Sequence, residues 1–133
     1  MTKRLLIIGC VSGLTAVILG AFGAHILKRI LAEQHVQLFE TGIRYQFYHT
    51  FAILITAFAA RYTGRTWTTA AGWLFLAGII CFSGSLYLLS LVEFLEIESM
   101  RSLLGPITPL GGVLFAGGWL ALLRAAFDYK TRK

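Results

Sequence analysis

Charge is what this chain has least of. Only 14% of its 133 residues are Asp, Glu, Lys or Arg, while 57% are hydrophobic; a soluble domain of this length carries about 25% charge. Its six acidic residues all fall outside the long apolar stretches, so a membrane-buried carboxylate pair for acid–base chemistry is excluded. Cysteine is scarce too. Cys10 and Cys81 fit no metal-ligand spacing and lie inside apolar stretches, where they read as small hydrophobes. Metal motifs and activated nucleophiles are missing, so neither an enzyme nor a bound cofactor is expected.

What is present is apolar length. Four windows carry no formally charged side chain: Leu5–Leu27 (23 residues), Tyr45–Ala60 (16), Thr66–Val92 (27) and Ser102–Leu123 (22). A helix rises 1.5 Å per residue and needs about 20 residues to cross a hydrocarbon core of about 30 Å. The shortest window qualifies because Arg44 and Arg61 at its ends can snorkel to the headgroups. The expected fold is an all-α integral membrane four-helix bundle in one domain, residues 1–133, with spans near 5–27, 43–60, 66–92 and 107–127. The first window is longer than the apolar part of a signal peptide and is expected to remain as a span.

The net charge of +6 is a topology signal, and no nucleic-acid partner is expected. Lys3, Arg4, Arg61, Arg65, Arg124, Lys130, Arg132 and Lys133 fall on one side of the alternating spans. The other side has Lys28, Arg29, Arg44 and Arg101 against Glu33, Glu40, Glu93, Glu96 and Glu98. Basic residues near span ends face the cytoplasm, so both termini are expected inside. Between the first two spans, Lys28–Arg44 places Leu31, Val36, Phe39 and Ile43 opposite Glu33, Gln34, Gln37 and Glu40, the pattern of an amphipathic helix lying in the interface. His35 reads there as a headgroup-level side chain.

Small and polar residues give the spans their faces. Gly9, Gly13, Ala16, Gly20 and Gly23 recur at intervals of 4, 3, 4 and 3, which flattens one face of the first helix for close packing; a homodimer face is the alternative. His25, then Tyr45, Gln46 and His49, then Ser83, Ser85 and Tyr87, then Thr108, Gly111 and Gly112 all fall in the outer half of their spans. Polar groups facing lipid cost several kcal/mol, so these are expected to turn inward and meet. The expectation places His49 against Ser83 or Tyr87, and His25 near Tyr45 or the start of the fourth helix. Thr108 before Pro109 reads as an N-cap followed by proline in the first turn. The free N–H groups near Gly111 and Gly112 are then open to a lipid headgroup or ligand oxygen. A purely structural lock explains the serines and threonines equally well, and both readings stay open here.

Four motifs, GAFGAH (20–25), TGIRYQFYH (41–49), FSGSLY (82–87) and GPITPLGG (105–112) followed by Gly118–Trp119, resemble the YgdD family of small four-span membrane proteins of unknown function. The resemblance implies a multi-pass protein of the bacterial inner membrane or, for animal relatives, of mitochondria, and brings no catalytic residues. The stretch Glu93–Arg101 belongs to none of the motifs. The expected function is a binding or accessory membrane protein whose polar cluster holds a lipid, quinone or partner helix, with membrane lipids and a homo-oligomer as candidate partners. A small transporter or proton-linked channel is the alternative, although no acidic residue lies within a span and no inverted repeat is evident. Bis-histidine haem binding through His25 and His49 needs the two rings to face each other.

Overall fold

The computed structural model describes residues 2–129; Lys130, Arg132 and Lys133 of the basic count lie outside the described residues. Four long helices follow one another, and no strand occurs among the described residues. They are α1 (Thr2–Ile30), α2 (Glu33–Ala59), α3 (Arg65–Leu91) and α4 (Glu98–Ala126). Three of them, α1, α3 and α4, are long and apolar enough to cross a membrane.

The 27 residues of α2 match that length, but polar side chains dilute its apolar content. Those side chains point inward: Gln46, His49, Thr50 and Thr56 are all buried, while Tyr48, Phe51, Ile55 and Phe58 are exposed. Comparable outward stripes run along α1 (Ile7, Val11, Leu14, Ile18) and α4 (Leu103, Leu110, Val113, Leu120). Apolar outer faces around a partly polar interior are what a hydrocarbon solvent selects.

The separate interfacial helix expected over 28–44 is not there. Lys28–Ile30 prolongs α1, the chain turns through the extended residues Leu31 and Ala32, and residues 33–44 form the first turns of α2 itself. The apolar stripe of that segment is real, but it packs on helices rather than on headgroups. Phe39 lies under Gly23 of α1, and Gly42 backs onto the Tyr87 ring of α3.

The glycine stripe of α1 lies along α2. Gly9 faces Leu54, Gly13 faces Thr50, Gly20 faces Ile43 and Gly23 faces Phe39. Across the bundle α3 and α4 seat each other's aromatic rings: Phe115 of α4 sits over Gly78, and Phe75 of α3 sits over Gly118. Leu5, Ala52, Ile53, Ala57, Ala71, Phe75, Ile79, Phe115 and Ala121 make one continuous core from all four helices.

Two turns wind with π geometry, Gly23–Leu27 in α1 and Ile79–Ser83 in α3. A π turn holds one extra residue and re-aims the side chains beyond it. Helix α4 departs most from expectation. Its α-helical part begins at Arg101, and Pro106 and Pro109 both lie inside it. Each ring removes one backbone donor, a loss tolerated in membrane helices where neighbouring groups re-satisfy the backbone.

Thr2 lines one cavity with Arg61 and Tyr62, and residues 61–64 line another with Phe127–Tyr129. The start of α1, the α2–α3 turn and the end of α4 therefore share one end of the bundle. Glu93 marks the opposite end, where its carboxylate meets both buried His35 (3.4 Å) and Arg101 (3.0 Å). The stretch 93–101 thereby ties the α3–α4 connection to the start of α2.

Candidate functional site

The polar residues resolve into three separate groups. The first centres on Gln46, which is 5% exposed. Its amide nitrogen donates to the Ser12 carbonyl and to the Thr15 hydroxyl, both at 2.9 Å. Its carbonyl oxygen accepts from the Tyr87 hydroxyl at 2.7 Å. Ser12 and Thr50 hydroxyls meet at 2.6 Å one turn away. Both amide protons of Gln46 are used, so this network joins α1, α2 and α3 with its donors satisfied. Ser12, Thr15 and Thr50 escaped the sequence reading, because a lone hydroxyl in an apolar helix carries no signal of its partner.

The second group surrounds His49, which is 6% exposed. It faces neither Ser83 nor Tyr87. Its ring stacks on Phe115 with centroids 3.4 Å apart and planes 5° from parallel. Nδ1 lies 2.9 Å from the Tyr45 carbonyl, and the Trp119 indole N–H points at Nε2 over a long 3.4 Å. Those contacts match the tautomer that donates from Nδ1 and accepts at Nε2. Both ring nitrogens are engaged within the protein. Tyr45 extends the stack onto Phe82, with centroids 4.4 Å apart. Trp119 belongs to a family-like motif, yet only tertiary packing reveals its role beside His49.

The third group joins α3 to α4. Ser85 and Thr108 share a hydrogen bond of 2.7 Å between their hydroxyls. Thr108 is therefore a mid-helix linker, not an N-cap. Early N–H groups at Gly111 and Gly112 are already within the helix, which removes the expected anion site. The two glycines also differ. A Cβ at 111 would lie 2.7 Å from Phe82 Cα, whereas nothing stands within 4 Å of one at 112. Ser83 is fully buried with its backbone against Gly42 of α2, and its hydroxyl has no hydrogen-bond partner among the described residues. His25 is exposed on α1 and joins none of the three groups. The π turn that contains it leaves the ring on the outer surface, so the expected approach to Tyr45 or α4 does not occur.

Beside the Gln46 network lies an open crevice. Ile7, Ile8, Val11, Ser12 and Thr15 of α1, Gln46 of α2, and Leu76 and Ile79 of α3 enclose about 340 Å³. Its walls are apolar. The hydroxyl and amide groups at its floor are those already bonded to one another, so the space suits an occupant that needs no hydrogen bonds.

Residues 19–112 match the DUF423 family, described as a protein of unknown function. The chain is 43% identical over 128 residues to the UPF0382 membrane protein YwdK of Bacillus subtilis, covering 96% of this chain and 98% of that one. It is 41% identical over 127 residues to the UPF0382 membrane protein SAB0533 of Staphylococcus aureus, with coverage of 96% and 98%. Against the UPF0382 inner membrane protein YgdD of Escherichia coli K12 the identity is 38% over 133 residues, covering 99% and 96%. No solved structure matches the chain.

Proposed function

The chain belongs to the DUF423 (UPF0382) family of membrane proteins, and from that premise we propose that it crosses the membrane four times and binds one hydrocarbon chain of a membrane amphiphile. Four crossings are supported by the apolar outer face of α2 and by the shared end of Thr2, the α2–α3 turn and Phe127. The basic residues of that end support a cytoplasmic position for it.

The observation that carries the binding reading is the crevice between α1 and α3. From Ile7 to Thr15 it follows about 12 Å of helix at 1.5 Å per residue, with a volume of about 340 Å³ open to the outer face of the bundle. An apolar groove of this length, with its polar groups already bonded to one another, suits one hydrocarbon chain. The saturated floor favours a chain over a polar headgroup. Such a protein is an accessory or carrier element of the membrane, with no catalytic step assigned to it.

Filling the crevice tests this reading. Val11 is 54% exposed at its mouth, so Val11→Trp blocks it without invading the core. Native mass spectrometry of protein released in mild detergent is expected to show one retained amphiphile on the unmodified chain and none on Val11→Trp. Val113→Trp, on the outer face of α4 and 69% exposed, is expected to retain it. A folded Val11→Trp protein that still carries the adduct refutes the site.

A further inference from the structure

We propose that the crevice continues into a phosphate site formed by Arg4 and Arg65, so that its occupant is an anionic phospholipid. The inference rests on the hydrocarbon-chain reading above and adds the headgroup. Arg4, Leu5, Arg65 and Trp73 line a second cavity of about 290 Å³, on the same seam between α1 and α3. The two cavities are in register. Arg4, Ile8, Val11 and Thr15 follow one another at intervals of 4, 3 and 4 along α1, and Arg65, Gly72, Leu76 and Ile79 do so at 7, 4 and 3 along α3. Residues spaced this way share one helix face. The two cavities thus follow one another along one seam, with Leu5 packed over Gly72 between them.

The dimensions suit a lipid. Arg4 to Thr15 spans about 16 Å at 1.5 Å per residue, and one leaflet of a hydrocarbon core of about 30 Å is about 15 Å thick. An acyl chain in the crevice therefore places its phosphate at the level of Arg4, and Arg65 lines the same cavity from the start of α3. Trp73, half exposed, lines the same cavity.

Charge also points to an anion. Among the described residues neither Arg4 nor Arg65 has a side-chain ion-pair or hydrogen-bond partner. No acidic side chain lines their cavity. The larger cavity at the same end differs, because Asp128 lines it beside Arg61 and is paired with Arg124 at 3.0 Å. Guanidinium forks suit phosphate oxygens geometrically as well as electrostatically, and basic pockets between helices on the cytoplasmic side are a recurrent way to hold anionic lipid headgroups.

The test titrates delipidated protein with phosphatidylglycerol and with phosphatidylcholine of the same acyl chains, read by native mass spectrometry. The unmodified chain is expected to prefer phosphatidylglycerol by about thirty-fold, from about a factor of five for each basic side chain near the surface. The Arg4→Gln/Arg65→Gln protein is expected to bind both lipids equally. Arg29→Gln, at the other end of α1, is expected to keep the preference. Equal binding of the two lipids to the unmodified chain, or an unchanged preference in the double variant, overturns the phosphate site. If Val11→Trp abolishes binding in either case, the crevice reading survives that failure. Complete displacement of phosphatidylglycerol by millimolar inorganic phosphate also overturns the proposal, since it assigns the arginines to a free ion. Lipid binding untouched by Val11→Trp sinks the chain site and this inference together.

Discussion

Replacing Gly111 by alanine is expected to separate α3 from α4, and the size of the effect follows from one contact. A Cβ at 111 would come within 2.7 Å of Phe82 Cα, against the 3.5–4.0 Å or so at which carbon atoms rest. The obstacle includes backbone of the π turn Ile79–Ser83, so no rotamer change relieves it. Helix α4 must retreat by about 1 Å. Overpacking of this kind costs about 1–3 kcal/mol. Two contacts within four residues of Gly111 on α4 also loosen, the Ser85–Thr108 hydrogen bond and the stack of Phe115 on His49. Alanine returns about 1 kcal/mol of helix propensity. Gly112→Ala receives that gain without the clash, because its neighbourhood is open. The propensity gain is common to both, so the two neighbouring variants should differ by about 1–3 kcal/mol, with Gly111→Ala the less stable. Reversible unfolding in mixed detergent and SDS micelles, followed by circular dichroism, measures the difference. Phe82→Ala is not expected to rescue Gly111→Ala, since it leaves the backbone in place. Stabilities of the two glycine variants within about 0.5 kcal/mol of each other, smaller than the least overpacking cost, would refute the close α3–α4 approach.

Removing the Tyr87 hydroxyl deprives Gln46 of the donor that α3 supplies to its carbonyl oxygen. Tyr87→Phe is expected to cost about 0.6–1.7 kcal/mol, the range of interhelical hydrogen bonds in membranes; a double-mutant cycle with Gln46→Met that yields no coupling would count against the bond. Topology is checked by single cysteines in a background with Cys10 and Cys81 replaced by alanine. Cysteines at Gln37 and Glu96 should react with a membrane-impermeant thiol reagent added outside intact cells, and one at Thr63 should not; the reverse pattern inverts the bundle and moves the arginine end to the outer leaflet.

Composition and periodicity sufficed for the long apolar helices, because solvent choice is written in every residue: a hydrocarbon environment excludes charge over about 20 positions whatever the neighbours are. The four motifs were enough to point to the family. The stripe Gly9–Gly13–Gly20–Gly23 was legible as a packing face for the same local reason, since spacing along one helix sets which side chains share a side. Which helix that face meets is a different kind of fact. Only the assembled bundle pairs Gly9 with Leu54, or sets His49 against Phe115 and Trp119 across α4. Local signals misled where tertiary context overruled them. Thr108–Pro109 has the chemistry of a helix start, yet the α-helical part of α4 begins at Arg101 and runs through both prolines, with Thr108 bonded to Ser85. Lys28–Arg44 has the pattern of an interfacial helix, yet its apolar face is taken up by α1 and α3. The π turns at 23–27 and 79–83 add a residue where 3.6-residue periodicity allows none. Sequence period alone therefore cannot place the side chains beyond them. The crevice between Ile7 and Ile79 depends on α1 and α3, which α2 separates in sequence, lying side by side, which packing alone decides.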